Sequence, residues 1–520
     1  VGTAAANVSA ASPRRRRRVL GFCFRHPWLV GAGLLLLVTL SVRLWWGWHF
    51  SRLLEMQNAA LRARGEAADP EEVVFPPVSA EQNAWPLIAR AMQADDKSAP
   101  SNQYNSVPEY PPYPIYWIRA AEASEQNNAV VFQCVRDARR LPQSQARTSF
   151  AQLSAGYTWL DGARTVARTL SDGATYQQLF VQDDREAIER IRGMLRVSRA
   201  VAEERALADQ SIAFDISDMA AIAALRLGPG LSQWDSATRE SVRQLIVEFL
   251  DDQATQRTFP RALRMQAQLG AQEIRDASQG TWAIQPLASR AIVSGRNDLR
   301  GYADIAATKD VQTANPYLAR AVKRAYDEQS ASIPFVGGDQ SAPRYSRWFA
   351  CVFASSRIIE RQFSYWMQSL GERRIAAVSL AIQLFRADHA GAFPPQLQDL
   401  VPRYLAELPK DPFFGDERTI RYFVLPRGLP DGKDRWLVGY GLTPEPGMID
   451  TEPMYSPYCW NGYRYAPIYY RDVMRWSPKD RRFDVELREK VWEILQPEMD
   501  IASKYAHNMF PWLVGQAQEE

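Results

Sequence analysis

The chain has 520 residues, 46% of them hydrophobic and 23% charged, with a formal net charge of +3. That length accommodates about three domains, and the composition excludes a mostly disordered, collagenous or multi-span membrane protein. Arg14 to Arg18 and Arg25 fall in the first 26 residues without an acidic residue, so the basicity is a tail ahead of a slightly acidic body, which argues against nucleic acid as a partner.

From Trp28 to Val42 the sequence WLVGAGLLLLVTLSV carries no charge; Arg43 interrupts it and LWWGWHF continues to Phe50. Trp28 to Trp48 is 21 residues, close to the ~20 that a helix needs to cross a bilayer. Residues 28–50 are therefore read as a transmembrane helix, with the lipid bilayer as first partner. Arg43 sits near one end, where its stem can carry the guanidinium to the headgroups. Trp45, Trp46 and Trp48 make an interfacial aromatic cluster on that side, and Trp28 marks the other. The arginine run precedes the span, so residues 1–27 are expected in the cytoplasm and the bulk outside it. A cleaved signal peptide is the alternative, but only Arg-Leu-Trp-Trp follows, with no small-x-small cleavage site. An arginine tail for nucleic acid is a further alternative; orientation and anionic-lipid contact explain it more simply beside a span.

Cys134, Cys351 and Cys459 lie on the outer side, where a disulfide is permitted. They allow one bridge and a leftover, and the sequence does not choose the pair. Cys23 is cytoplasmic or interfacial, and no CxxC occurs.

Beyond the span, residues 51–68 continue as a helix. Ser79 with Gln82 three residues on has the pattern of a capping box opening the next helix. Five prolines and three tyrosines within residues 100–114 predict an extended loop. In 183–206, Ala187, Ile188, Ile191, Met194, Leu195, Ser198, Val201 and Ala202 form one helical face, and Arg185, Arg190, Arg192, Arg196 and Arg199 the other. Residues 211–226, 236–257, 260–278, 316–329 and 344–390 read as further helices. The last is nearly apolar all round from Ile375 to Phe385, which predicts a central position. The expected fold of residues 51–390 is mainly α: an irregular array of helical hairpins, with no fixed-length repeat. After Asp388, Gly391 and Pro394-Pro395 end the helix. A short helix QLQDLVPRYLAEL follows, then runs at Ile420 to Leu425 and Arg435 to Tyr440 that read as a hairpin. Residues 451–520 are a Tyr-rich segment and an amphipathic helix at 484–497.

The stretch QLFRADHAGAFPPQLQDLVPRYLAELPKDPFFGDERTIRY resembles the globular end of type II secretion pseudopilins, in which a helix gives way to a Gly-x-Tyr-Pro turn, a Leu-x-x-Leu segment, Pro-x-Asp-Pro-aromatic-Gly and a strand. The matching positions are Gly391, Phe393, Pro394, Leu397, Leu400, Pro409, Asp411, Pro412, Phe413, Gly415 and Tyr422. The resemblance implies a small α+β element over residues 391–450. The outer region as a whole also resembles large uncharacterised single-span bacterial proteins, through Asn83-Ala84-Trp85-Pro86 and the segment DDREAIERIRGMLRVSRAVAEE. Gly21-Phe22 fits the pseudopilin cleavage dipeptide, but His26 stands where the glutamate five residues on belongs, which reads against processing and filament assembly.

Catalytic signatures are scarce. HExxH, GxSxG and GxxxxGK[ST] are absent, and Gly439-x-Gly441 lacks the rest of a dinucleotide fingerprint. His389 beside Asp388 could be an acid/base pair, although a helix C-terminus favours a histidine through its dipole. Asp95-Asp96, Asp183-Asp184 and Asp251-Asp252 are adjacent acids, of which the second pair fits a helix N-terminus. Glu445 and Asp450 are too few for calcium, which takes dense oxygen ligand sets. No metal or cofactor is expected, and a small-molecule ligand is unassigned. Tyr455, Tyr458, Trp460, Tyr463, Tyr465, Tyr469 and Tyr470 form a cluster suited to a core cover, a partner interface or glycan binding, in that order. The expected role is a non-catalytic scaffold or interaction subunit at the bacterial inner membrane, working with other envelope proteins. An envelope hydrolase for glycan or peptide and a secretion or pilus-like component are the rivals.

Overall fold

The computed structural model describes residues 27–103, 115–150, 152, 158–225, 227, 234–278, 285–308, 344–410, 419–425, 435–439 and 466–467. The chain is mainly helical, in two compact units: residues 27–72 with 270–297, and residues 73–269 with those from 298 onward.

The first unit is built on α1, Pro27–Ala63, one unbroken helix of 37 residues. Glycine at 31 and 33 does not break it, since the run between Leu34 and Trp48 has no other helix breaker than Gly47 and is dominated by leucine. The helix ends in a turn at Arg64 and Gly65, where φ is +73° at the glycine. Arg62 then pairs with Asp69 and with Glu72, the last residue of the short 3-10 helix Pro70–Glu72. Helix α1 is joined in this unit by residues 270–297 from two later helices, identified below as α10 and α11.

The second unit opens with α2, Trp85–Ala94. Its start corrects the capping box expected at Ser79: residues 80–82 form a turn, Asn83 bridges Gln143, and Ala84 is the N-cap. Pro86 dictates this, because its fixed φ and missing N–H suit the first helical turn. The Pro-rich stretch begins as a short helix, α3, Pro100–Gln103, and residues 104–114 lie outside the described set. Next come α4 (Ile115–Asn127), α5 (Ala129–Ala138) and α6 (Thr158–Tyr176), the last continuing as a π turn over Gln177–Val181. Gln182 closes that turn in the left-handed region. Asp183 then caps α7, Asp184–Ala202, accepting the Glu186 N–H at 3.0 Å.

Helix α7 corrects one expectation. Arg190 and Arg196 belong to the face read as polar, yet both are buried. Arg190 lies over the Phe132 ring at 3.5 Å and donates to both oxygens of Glu125 at 2.6 and 2.8 Å. Arg196 donates to the carbonyls of Ala138, Leu141 and Gln143, tying α5 and the loop after it to α7. Arginine stems bury readily when the guanidinium finds partners.

Helix α8, Leu207–Leu225, runs antiparallel to α7, as Ser198 to Ala213 and Ala202 to Gln210 hydrogen bonds show. Helix α9, Ser236–Leu250, capped by Asp235, stops seven residues short of the expected end; α10, Gln253–Ser278, starts after a two-residue break. Buried Arg373 enforces the break by donating to the Glu248 and Asp251 carbonyls, which a continuing helix would need. Helix α11, Gln285–Thr308, was not foreseen, and the helix expected at 316–329 lies outside the described residues. Helix α12, Arg344–Asp388, is the predicted central element: Ile375, Ala376, Ala377, Val378, Leu380, Ala381, Ile382, Leu384 and Phe385 are all buried, within one core shared with α6, α7, α8 and α9. Helix α9 packs antiparallel to its second half, with Arg239 at Asp388 and Asp252 at Arg374.

After α12 the expected 396–408 helix is only a 3-10 turn, Leu397–Leu400, followed by turns, because Pro402 brings no N–H to continue it. The hairpin is present: β1 (Arg421–Leu425) pairs antiparallel with β2 (Arg435–Gly439), which pairs with the two residues of β3 (Ala466–Pro467).

Candidate functional site

Three places bear on function. The first is α1 itself. It is long and apolar enough to cross a membrane, and residues 31–42 are exposed on every side. Trp28, Trp45 and Trp48 are exposed as well. From Arg43 onward the pattern changes: Arg43, Trp46, Gly47, Phe50, Leu53, Leu54, Gln57 and Asn58 form a half-covered stripe at helical spacing that ends at buried Leu61. Residues 270–297 supply the cover. Gln57 donates to the Val293 carbonyl and to Asn297, Arg296 donates to Asn58 and to the Ala68 carbonyl, and Arg275 pairs with Asp69. Burial pulls the Arg296 guanidinium down to about 10, with Arg275 adding to the effect and Asp69 and Glu72 opposing it.

The second place is a cavity of about 40 Å³ walled by α7, α8, α9, α10 and α12. Ser198, Arg199, Glu203, Glu248, Asp251, Thr258, Trp366, Ser369 and Arg373 line it. Several of its charges are paired. Arg199 pairs with Asp251 at 3.5 Å and donates to the Glu248 carbonyl, while the Glu248 carboxylate takes Arg192 at 2.5 Å. Burial pushes the Glu203 carboxyl up, against the pull of Arg196, the Ser144 N–H, Arg257 and Arg199. Burial likewise lowers Arg373, although Asp252 and Asp251 oppose it. A space of this volume holds about three water molecules, which these groups can bind.

The third place is the end of α12. Ala390, at φ +52°, and Gly391, at φ +88°, turn the chain left-handed, and Gly391 N–H closes on the Arg386 carbonyl at 2.8 Å. Leu397, Leu400 and Tyr404 bury against Phe385, and Phe393 packs beside them under Arg386 at 4.2 Å. Pro409 accepts the Ile420 N–H through its carbonyl. Pro394 is part of this turn, whereas Asp411, Pro412, Phe413 and Gly415 lie outside the described residues. Asp388 turns away from a pairing with His389. It accepts Tyr404 Oη at 2.7 Å and pairs with Arg239 and Arg403, both at 2.8 Å, while His389 stacks on Phe385 and bonds its carbonyl. Burial pushes Asp388 up, but Tyr404, Arg403 and Arg239 outweigh it and the carboxyl is lowered overall. Burial and Asp388 together push the Tyr404 phenol up to about 12.

The remaining sequence candidates distribute as follows. Asp183 caps α7 and Asp184 accepts the Trp234 indole N–H at 2.8 Å. Asp95 takes Thr169, Asp96 takes Asn128, and Asp252 pairs with Arg374. Cys134 is a buried thiol. Tyr455, Tyr458, Trp460, Tyr463, Tyr465, Tyr469 and Tyr470, with Glu445 and Asp450, lie outside the described residues. The cavity escaped sequence reading because its walls come from five helices. Its one local signal was Arg373-Arg374 embedded in an apolar helix. No protein-family model matches the chain, and no curated protein and no solved structure matches it either.

Proposed function

We propose that the chain is a single-pass, membrane-tethered scaffold or protein-interaction subunit of the bacterial cell envelope, with its N-terminus cytoplasmic, its bulk periplasmic and no catalytic role. The observation that carries this reading is α1, bare of protein contact through residues 31–42 and dressed on one face from Arg43 onward. A helix leaves leucines unburied in that way when lipid is its solvent. The arginines ahead of it supply the orientation. Protease added to intact spheroplasts should digest the helical bulk and spare a fragment carrying Arg14 to Arg18. Survival of the bulk until lysis would invert the orientation. A stoichiometric partner co-purifying from native membranes is the expected sign of the scaffold role.

A second reading, a secretion or pilus-like component, is favoured by the order of elements from Gly391 on: long helix, left-handed turn, Leu397–Leu400 packed on that helix, then an antiparallel hairpin. The pseudopilin-like element of residues 391–450 belongs to this reading. N-terminal sequencing of membrane-extracted protein decides it, since a mature chain beginning at Phe22 is required and an intact arginine run excludes it.

A further inference from the structure

Resting on the tether reading, we propose that the outer end of the anchor binds anionic phospholipid headgroups at two places, one on each side of α1, with Arg290 as the phosphate-binding group at one and Arg52 at the other. The level of the site follows from helix geometry. Trp28 to Trp48 spans about 30 Å at 1.5 Å per residue, the thickness of the hydrocarbon core. With Trp28 at the inner interface, the turn from Trp46 to Phe50 meets the outer headgroups. Helix α11 reaches this level from the other chain segment of the same unit. Arg296 and Asn297 sit at Asn58 and Gln57, and two turns earlier the Arg290 guanidinium lies 5.8 Å from the Trp46 ring and 5.9 Å from Phe50. On the far side of α1, Arg52 lies 5.4 Å from the Trp48 ring. Both arginines are exposed. Aromatic faces hold the two guanidinium groups and leave their N–H edges for an acceptor.

Charge decides the class of ligand. From Pro27 to Leu54 there is no acidic residue, and none from Ala277 to Asn297; the first is Glu55, one turn further from the bilayer than Arg52. A cationic, aromatic-lined girdle at headgroup depth suits a lipid phosphate, which Arg binds through paired N–H donors. Phosphatidylglycerol, anionic overall, meets that demand better than a zwitterionic lipid.

The test uses the full chain reconstituted in vesicles that contain phosphatidylglycerol with a photoreactive headgroup, the crosslinks being mapped by peptide mass spectrometry. Crosslinks are expected on residues 43–54 and 285–297. Arg52→Gln should lower those on residues 43–54 and Arg290→Gln those on residues 285–297, each about fivefold, and Arg290→Lys should retain most of the yield. Crosslinks to the cytoplasmic arginine run stay constant in these variants and serve as the internal reference. Unchanged yield in the glutamine variants, or equal yield with photoreactive phosphatidylcholine, overturns the proposal. Loss of the crosslinks on adding excess inorganic phosphate also overturns it, because free phosphate would then be the ligand. Alkaline carbonate separates the two readings: a chain that it strips from the vesicles ends the tether and this site together, whereas a chain retained without lipid preference ends only the site.

Discussion

Replacing Arg190 tests the interior of the second unit most directly. Its side chain is 7% exposed and that of Glu125 is 14% exposed, with Glu186 as a second carboxylate partner at 3.0 Å. On a solvated helix face, Arg190→Ala would change stability by no more than about 0.5 kcal/mol. In the arrangement seen here it strands Glu125 with Gln177 as its hydrogen-bond donor, at 2.9 Å, and uncovers the Phe132 ring. Removing one partner of a buried pair costs about 3–5 kcal/mol. At the roughly 2–4 °C per kcal/mol of a domain this large, the thermal midpoint should fall by about 6–20 °C. Circular dichroism of the full chain in detergent, followed through heating, reads that shift. The companion is Arg190→Met with Glu125→Leu, which removes both charges and leaves Glu186 its Arg136 partner. That double variant should regain more than about 1 kcal/mol over Arg190→Ala, because apolar replacement of both members of a buried pair is often near neutral. A midpoint within 1–2 °C of wild type for Arg190→Ala, taken as about 0.5 kcal/mol, would refute the buried pair and return Arg190 to solvent.

Gly173 faces the same pair from α6, and a Cβ there would run into the Arg190 guanidinium and the Glu125 carboxylate. Gly173→Ala should therefore destabilise by about 1–3 kcal/mol, whereas Gly270→Ala, in a helix with open space around it, should stabilise by about 0.5–1 kcal/mol; calorimetry ranks the two. Burial lifts the Glu204 carboxyl from 4.5 to about 7, against the Ala146 N–H and Arg147. Between those values the unfolded chain has lost the proton that the folded chain keeps, so stability falls as pH rises from 4.5 to about 7 and is level above it. Denaturant midpoints across that window should show the fall, and Glu204→Ala should flatten it. Tyr404→Phe should cost about 1.5–3 kcal/mol by removing a hydrogen bond to a charged group, and Asp388→Asn should bring a high-pH phenol titration, read by ultraviolet absorbance, below its wild-type position near 12.

Patterns carried within one helix were readable from the sequence. The uncharged run to Val42, the acidic pair Asp183-Asp184 at a helix N-terminus and the all-round apolar stretch from Ile375 to Phe385 each announce themselves locally, and the structure has them where they were expected. What required the structure was partnership across helices. Arg190 and Arg196 look like solvent residues until Glu125 and the α5 carbonyls come into reach. The end of α9 is set by Arg373, more than a hundred residues away. Helix α11 mixes Ser, Gly and Arg among its apolar residues, so its pattern is faint; its first turns gain meaning only beside Trp46 and Phe50 of α1. The partners of Asp388 were hidden for a related reason: Tyr404, Arg239 and Arg403, all distant in sequence or separated by turns, take its carboxylate.

The unbroken course of α1 has a mechanical consequence. At 37 residues it is a rod about 55 Å long, and no glycine-rich or proline-rich joint separates the exposed apolar portion from the portion clasped by residues 270–297. When a bilayer thins or thickens, a spanning helix answers by tilting. On the proposed tether reading, the lean is handed along the rod to residues 270–297, which clasp its second half. In that reading, the helix thereby fixes the angle at which residues 270–297 stand over the lipid surface.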